Sequence, residues 1–261
     1  MVDVITAVAS LTSDEKLGAV ATVVEGHDLG AKVVLDASGS PIAGALPTDI
    51  ATDVAADAVT LMHNEQSRTL TYGARSVFIE TVAPQPLLLV FGAGHIAQPL
   101  SVMGRVLGFR VVVADARATW ATEERFPDVD QLVVGWPDAV LADVELDPRT
   151  YVVMLSHDRR FEDPVLAAVR SAPLRYVGAL GSRRTSRERA ERLEGEGWSE
   201  SEIGRLHAPI GIDVGAETPA EIAVSILAEI TRVRYGAGTG MSLRGQQGRI
   251  HPQRGAEDGT E

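Results

Sequence analysis

The sequence predicts an α/β protein in which a domain built on a parallel sheet follows a smaller α/β domain. Five consecutive apolar residues, Leu87–Phe91, are typical of a strand that is buried on both faces of a parallel sheet. A glycine-rich turn and a helical pattern follow directly, and strand-like and helix-like segments alternate from there onward. This alternation indicates a parallel sheet with helices on both of its faces.

A short linker with two prolines, residues 83–86, separates the two predicted domains, because proline cannot continue a central strand. We expect the N-terminal domain over residues 1–84 and the larger domain over residues 85–235. Residues 236–261 are rich in glycine and poor in apolar residues, so we expect a disordered tail there.

The N-terminal domain shows alternating strand and helix signals of its own. Apolar, β-branched runs predict strands, and an alanine-rich segment with apolar residues along one face predicts a helix. The expected strands cover residues 17–24, 31–35 and 77–82, and the expected helix covers residues 50–64.

The turn after Leu87–Phe91 reads Gly-Ala-Gly-His-Ile-Ala and fits the Gly-x-Gly-x-x-Ala pattern of dinucleotide-binding domains. Gly92 permits the tight turn, Gly94 lets a pyrophosphate approach the backbone, and Ala97 keeps the helix close to the strand. Phosphates would meet free N–H groups and the positive end of the helix dipole. We therefore predict a Rossmann-like domain with a nucleotide-like ligand; a glycine turn without a ligand is the alternative.

An acidic residue, Asp115, ends the next strand-like run, residues 111–115. Asp115 comes about 20 residues after the glycine turn. At this spacing, dinucleotide-binding domains carry an acid that accepts from a ribose 2′-hydroxyl. A carboxylate there would repel a 2′-phosphate, which favours NAD-like or adenosine-like ligands over NADP. Arg117 lies two residues further on and weakens that preference.

The remaining segments complete the predicted sheet. Strands are expected at residues 131–134, 151–155 and 175–179, with a short helix or turn at 119–126. A helix is expected at residues 164–169, beginning at a proline, and another at residues 182–196, whose charged side chains would face solvent. A third helix is expected after the capping residue Thr218. Its buried stripe would consist of Ile222, Ile226, Ile230 and Val233.

Candidate functional residues follow several of these strands, at the edge where ligands of parallel sheets bind. His157 and Asp158 could transfer a proton, or they could simply cap the loop and the next helix. Gly181, Ser182 and Arg183 open a helix that suits an anion, or they form an ordinary N-cap followed by solvent-facing charge.

A loop dense in glycine, residues 208–219, precedes the capped helix. Its residues Gly211, Asp213 and Gly215 could approach a ligand closely, or the loop could serve as a rigid connector. No metal site is predicted, because the six histidines are scattered without a His-x-x-x-His pair.

Composition narrows the class of protein. The formal net charge of −12 argues against a nucleic-acid partner, which needs a basic face. The chain has no cysteine, so disulfides, thiolate metal sites and a cysteine nucleophile on this chain are excluded. We see neither a signal peptide nor an apolar run long enough for a membrane span, and we expect a cytoplasmic protein without a membrane partner.

Taken together, these segments resemble the XdhC/CoxI family of molybdenum-enzyme maturation factors over about residues 87–235. The resemblance rests on Phe-Gly-Ala-Gly-His at 91–95, Asp-Ala-Arg at 115–117, Arg-Phe-Pro at 125–127, Ser-His-Asp at 156–158, Tyr-Val-Gly-Ala-Leu-Gly-Ser-Arg-Arg at 176–184 and, most specifically, Ala-Pro-Ile-Gly-Ile-Asp-Val-Gly-Ala-Glu-Thr-Pro-Ala-Glu-Ile-Ala at 208–223.

The resemblance implies a chaperone, rather than an enzyme, that binds molybdenum cofactor as molybdopterin or its dinucleotide form. Such a chaperone helps to deliver the sulfurated cofactor to a molybdenum hydroxylase, typically xanthine dehydrogenase or carbon monoxide dehydrogenase. The resemblance also implies a homodimer. The N-terminal domain diverges, since residues 43–47 read Ala-Gly-Ala-Leu-Pro and lack the cysteine of the family. Sulfur would have to come from a partner, for which a cysteine desulfurase is the candidate.

Two other functions stay open: an NAD-dependent oxidoreductase that uses His157 and Asp158, and a nucleotide-binding regulatory paralogue. The candidate catalytic residues are therefore His157 and Asp158. The candidate cofactor-binding residues are Gly92, Gly94, His95, Ala97, Asp115, Arg117, Gly181, Ser182, Arg183, Gly211, Asp213 and Gly215.

Overall fold

The computed structural model describes residues 3–156 and 158–245, and the strands in this part of the chain form two sheets. The helices are α1 (Val4–Ser13), α2 (Thr48–His63), α3 (Ala97–Val106), α4 (Pro137–Asp143), α5 (Arg159–Val169), α6 (Arg183–Gly195), α7 (Glu200–Gly204) and α8 (Pro219–Tyr235). The strands are β1 (Gly18–Glu25), β2 (Lys32–Asp36), β3 (Pro41–Ala45), β4 (Arg68–Tyr72), β5 (Arg75–Val82), β6 (Leu87–Phe91), β7 (Arg110–Asp115), β8 (Gln131–Val134), β9 (Thr150–Met154), β10 (Tyr176–Ala179) and β11 (Leu206–His207).

The N-terminal strands form an antiparallel sheet in the order β3-β2-β1-β5-β4, and α2 packs its apolar face on it through Ile50, Val54 and Leu61. The sequence predicted β1, β2, β5 and α2, but it did not predict α1, β3 or β4. The strands β3 and β4 lie at the edges of the sheet with mostly exposed or half-exposed side chains, so no apolar run marks them.

The C-terminal strands form a parallel sheet in the order β11-β10-β9-β6-β7-β8, which is the strand order of a Rossmann domain. Helices α3 and α8 cover one face, and α4, α5 and α6 cover the other. Side chains of β6 alternate between the two faces, since Leu88 and Val90 belong to one core and Leu87, Leu89 and Phe91 to the other. The predicted fold class is confirmed.

A buried ion pair joins the two sheets. Glu65, which follows α2, has a side chain that is only 7% exposed, and it pairs with Arg234 near the end of α8 at 2.6 Å. The hydroxyl of Tyr151 in β9 donates to the same carboxylate at 3.5 Å. The linker also contacts the C-terminal domain, since the carbonyl of Pro84 accepts a hydrogen bond from Arg149 at 3.3 Å.

The expected helix start at Pro164 is wrong, because α5 begins at Arg159 and contains Pro164 in its interior. Asp158 starts the helix earlier by accepting from the N–H of Arg160 at 3.0 Å. A proline at this position offers no N–H to the carbonyl of Arg160. Arg160 is exposed, so we expect the loss of this hydrogen bond to cost little, because water can replace it.

The expected solvent-facing charge on α6 is wrong for Arg189, which is buried. Its guanidinium donates two hydrogen bonds, of 2.7 and 2.8 Å, to the buried carboxylate of Glu162 in α5. A bidentate pair of this kind compensates the two charges where water is excluded, although Nη1 of Arg189 is buried without a hydrogen-bond partner in the described part of the chain. The charged pattern of α6 therefore hides a contact that holds two helices together.

The chain after α8 is described only in part. Gly236 ends α8 in the left-handed conformation, and Leu243–Gly245 forms a single 3-10 turn. Residues 246–261 of the predicted disordered tail lie outside the described residues, so the disorder stays a prediction. No helix of residues 3–156 and 158–245 is long and apolar enough to cross a membrane.

Candidate functional site

The order of the parallel strands reverses between β6 and β9, since β7 and β8 continue on one side and β10 and β11 on the other. In doubly wound sheets, ligands bind in the crevice outside the carboxyl ends of the strands at such a reversal. The loops after β6, β7, β9 and β10 all leave the sheet at this edge, and each carries candidate residues predicted from the sequence.

The glycine loop, residues 92–96 between β6 and α3, is tightly held at its start. Gly92 has a φ of +109°, and a Cβ at this position would lie 3.1 Å from the backbone that follows β9. Only glycine is compatible with that conformation and that approach. Ala97, the first residue of α3, is fully buried against the sheet, as the close packing of helix and strand requires.

The centre of the glycine loop is open. Nothing in the described part of the chain, apart from the residues next to it, lies within 4 Å of the position that a Cβ would take at Gly94. No side chain caps α3, and the N–H groups of Gly94, His95 and Ile96 form no hydrogen bond with another described residue. These donors stand at the positive end of the helix dipole, which is an arrangement that suits an anion.

Asp115, the last residue of β7, has a carboxylate that is only 4% exposed and fully hydrogen-bonded. Its Oδ2 accepts from the N–H of Ala93 at 2.8 Å and from Nη2 of Arg117 at 2.6 Å. Its Oδ1 accepts from the N–H and from Nε of Arg117, both at 2.9 Å. Burial by itself raises the pKa of this carboxyl, but the hydrogen bonds from Arg117 and Ala93 outweigh it and hold the pKa below its usual range.

An aromatic side chain that sequence reasoning missed, Trp120, lies beside this pair. The guanidinium of Arg117 lies 5.0 Å from the centre of its ring, and that of Arg125 lies 4.8 Å away. The exposed imidazole of His95 packs edge-to-face on the same ring at 5.3 Å. Arg125 also donates to the carbonyl of Ala93 at 2.8 Å, so it ties the segment after β7 to the glycine loop.

His157, the predicted catalytic histidine, lies outside the described residues, and its role stays a prediction. Asp158 caps α5 and pairs with Nη2 of Arg160 at 2.7 Å, which supports the capping alternative. The hydrogen bonds from Arg160, with a smaller contribution from the charge of Arg117, lower the pKa of Asp158. The carboxylate therefore stays ionised and suits a cationic partner better than a proton donor's role.

The loop after β10 meets the glycine-dense loop that precedes α8. Ser182 caps α6 by accepting from the N–H of Thr185 at 3.1 Å, which agrees with the N-cap alternative and leaves its role toward an anion a prediction. Gly181 is half-buried against that capped turn. Arg183 and Asp213 are both exposed and lie 3.7 Å apart, a surface pair that contributes little to stability. The structure therefore brings these two predicted residues together.

A buried carboxylate that sequence reasoning missed, Glu229 of α8, holds the start of this second loop. It accepts from the N–H of Gly211 at 2.9 Å and from the hydroxyl of Tyr176 at 2.6 Å, and Nδ1 of His207 lies 3.2 Å from it. Burial raises the pKa of Glu229, but the hydrogen bonds from His207, Tyr176 and Gly211 prevail and lower it to about 2. Gly215, further along the loop, is exposed with a φ of +72°.

A signal for Glu229 was present in the sequence. The residue lies between Ile226 and Ile230 on the apolar stripe of α8, where a carboxylate has to find buried donors. Within the described residues, no group of three or more histidine, aspartate or glutamate side chains is arranged to hold a metal ion.

Strand order, glycine loop and the acid at the end of β7 define a protein with a Rossmann-type domain. Residues 88–230 match the XdhC Rossmann domain, and the chain belongs to this family.

Two curated relatives match part of this chain. The chain is 34% identical over 159 residues to a probable xanthine dehydrogenase subunit of Bacillus subtilis (strain 168), a match that covers 61% of this chain and 46% of the relative. It is 43% identical over 93 residues to the molybdenum cofactor insertion chaperone PaoD of Escherichia coli (strain K12), which covers 36% of this chain and 29% of the relative. The chain thus spans less than half the length of either relative.

A solved structure has the same overall fold. The crystal structure of a xanthine dehydrogenase from Bacillus halodurans superposes with a TM-score of 0.53 at 20% sequence identity, covering 93% of this chain and 98% of that chain. At this identity the similarity supports the fold alone.

Proposed function

We propose that this chain binds the phosphorylated pterin of molybdenum cofactor at the carboxyl edge of its C-terminal sheet and assists its insertion into a molybdenum hydroxylase. The observation that carries the proposal is the open glycine loop at the strand reversal, whose N–H groups at Gly94, His95 and Ile96 suit a phosphate. Membership of the XdhC family and the name of the relative PaoD supply the identity of the ligand.

The cofactor is the cargo of such a chaperone, and its parts match the chemistry of the edge. Its phosphate suits the glycine loop, and its flat pterin suits the neighbourhood of Trp120 and His95. We assign one side of the site to the residues around the glycine loop. The other side consists of the loop after β10 and the glycine-dense loop that precedes α8. These residues are Gly92, Gly94, His95, Ala97, Asp115 and Arg117 on the first side, and Gly181, Ser182, Arg183, Gly211, Asp213 and Gly215 on the second.

Sulfuration would depend on a second protein. The chain has no cysteine and so offers no thiol that could carry a persulfide. A cysteine desulfurase that acts on the bound cofactor is therefore part of the proposal, as are a homodimeric state and a cytoplasmic location. His157 and Asp158 would act during transfer of the cofactor, since they follow β9 in the sequence and β9 pairs with β6, the strand that leads into the glycine loop.

The content of co-purified ligand tests this function. The full chain, expressed in cells that synthesise molybdenum cofactor, should carry a pterin, measured by fluorescence after oxidation, together with molybdenum. Gly94→Asp should lower the pterin content about tenfold or more, because it places a carboxylate where the phosphate lies. Gly195→Asp is the matched control: it introduces the same charge into open space at the far end of α6.

Equal pterin content in Gly94→Asp and wild type would contradict the placement at the glycine loop. Absence of pterin and molybdenum from the wild type, together with tight NAD binding and turnover, would favour the oxidoreductase instead.

A further inference from the structure

We propose that Arg117 recognises a phosphomonoester on the ligand and that Asp115 is a positioning residue, which holds Arg117 and the glycine loop in place. The inference rests on the location of the site in the proposed function. It concerns which of the two side chains at the end of β7 faces the ligand, and therefore which chemical group the ligand carries there.

Asp115 has no acceptor capacity left for a ribose hydroxyl. A carboxylate offers about four acceptor positions. Four N–H donors already point at this one, namely the N–H of Ala93 and the N–H, Nε and Nη2 of Arg117. A ribose that bound to Asp115 would have to displace a charge-assisted hydrogen bond from a carboxylate that is only 4% exposed.

Arg117 has the opposite properties. Its side chain is 56% exposed, and it uses the Nε and Nη2 edge of its guanidinium to donate to Asp115. Its Nη1 forms no hydrogen bond with another residue in the described ranges. Because Ala93 and Arg117 donate to the same oxygen, Oδ2 of Asp115, the guanidinium lies directly beside the glycine loop. The free edge is thus available to an anion that rests on the loop.

The neighbouring charges also favour a doubly charged group. Asp115 and Arg117 neutralise each other, Asp158 is paired with Arg160, and Arg125 adds a cation that donates only to uncharged acceptors, the carbonyls of Ala93 and Trp120 and the amide of Gln98. A phosphomonoester carries about −1.5 to −2 charges at neutral pH. The planar guanidinium matches its oxygens well, whereas a bare ribose diol would offer the unpaired Nη1 edge of Arg117 no charged acceptor.

Two sources share this chemistry: a pterin with a phosphorylated side chain and a nucleotide with a 2′-phosphate. Ligand pairs that differ only in that phosphate separate them. One pair is a phosphorylated 6-alkylpterin and its phosphatase product, and the other pair is NADP and NAD. Affinities for the full chain would be measured by calorimetry or by quenching of the tryptophan and pterin fluorescence.

In the wild type, we expect the phosphorylated member of a recognised pair to bind about tenfold tighter or more than its dephosphorylated counterpart, because a hydrogen bond between charged groups contributes that much free energy. Arg117→Met should reduce that preference about tenfold and change the affinity for the dephosphorylated member less than about threefold.

A matched control is available at the opposite edge of the sheet. Arg149 pairs with Asp147 in the same local pattern, its N–H donating at 2.9 Å and its Nη2 at 3.0 Å, just before β9. Arg149→Met removes the same charge and should leave the preference unchanged. The variant Asp115→Asn/Arg117→Met keeps an acceptor for Ala93 and the wild-type net charge, so it gives the same test if Arg117→Met folds poorly.

The outcomes separate this inference from the proposed function. A preference that depends on Arg117 in the NADP pair alone, with no pterin bound, supports the role of Arg117 and refutes the pterin cargo. Pterin binding with no phosphate preference, or with one that survives both Arg117 variants, refutes the role of Arg117 and leaves the cargo in place. Failure of all four compounds to bind refutes both.

Discussion

Each of the two loops of the candidate site is held by a buried carboxylate that accepts a backbone N–H, but the two carboxylates are supported differently. Asp115 accepts from Ala93 in the glycine loop, and its other donors all belong to Arg117, two residues away. Glu229 accepts from Gly211 in the second loop, and its other partners come from β10 and β11.

Asp115 is thus held by a neighbour in the sequence, whereas Glu229 is held by tertiary contacts with other strands. The side chain that supports Asp115 is exposed, and the edge that it does not use on Asp115 is open to a ligand or water. The side chains around Glu229 are buried or partly buried, with Tyr176 and His207 stacked at a ring distance of 4.6 Å. We therefore expect Glu229 to matter mainly for folding of the C-terminal domain, and Asp115 with Arg117 mainly for recognition.

The largest expected effect is on stability, from Glu229→Leu. The change leaves the buried hydroxyl of Tyr176 and the N–H of Gly211 without an acceptor, and it should lower the free energy of unfolding by about 3 kcal/mol. Glu229→Gln retains an acceptor and should cost about 1 kcal/mol. Denaturant titration measures both, with Glu188→Gln on the exposed face of α6 as the control. Equal losses for Glu229→Leu and the control would contradict the tertiary role.

A smaller loss is expected from Asp115→Asn, about 1 kcal/mol by the same titration, because the amide oxygen still accepts from Ala93 and the exposed Arg117 can turn to water. If Asp115→Asn destabilised the chain more than Glu229→Leu, the distinction between local and tertiary support would be wrong.

The last prediction is a difference in pH dependence. The pKa of Glu229 is lowered to about 2 in the folded chain, whereas an unfolded glutamate titrates at about 4.3. A carboxyl whose folded pKa is depressed contributes stability above the unfolded pKa and loses it as the pH falls toward the folded pKa. Between about pH 4.5 and pH 2, the wild type should therefore lose more unfolding free energy than Glu229→Gln does. Parallel pH curves for the two proteins would contradict this assignment.

Segments with a strong local signal were predictable from the sequence. The unit formed by β6, the glycine loop, α3 and β7 is contiguous and carries both an apolar run and turn glycines. The start of α8 was equally clear, because Thr218 and Glu221 form a capping box that the structure contains. In both places, the signal that predicts the element lies in neighbouring residues, although β9 from further along the chain also pairs with β6.

Features that depend on distant partners were not predictable in the same way. The pair of Glu162 and Arg189 looks like two surface charges until α5 and α6 are placed side by side. The sequence assigned Asp115 to a ribose hydroxyl because spacing alone shows no competing donors, whereas the fold supplies the N–H of Ala93. Trp120 lies in a segment of turns without periodicity, so only the structure shows Arg117 and Arg125 around it.

The contact between Glu65 and Arg234 has a consequence for how fragments of this protein behave. A piece trimmed to the family match, residues 88–230, would lack both partners, and a cut within the linker would separate Glu65 from its cation. A variant of the whole chain that lacked only Arg234 would keep the buried carboxylate of Glu65 next to Tyr151 without a cation to neutralise it. We therefore expect the two sheets to melt in one cooperative transition, and the isolated C-terminal half to melt at a lower temperature than the whole chain.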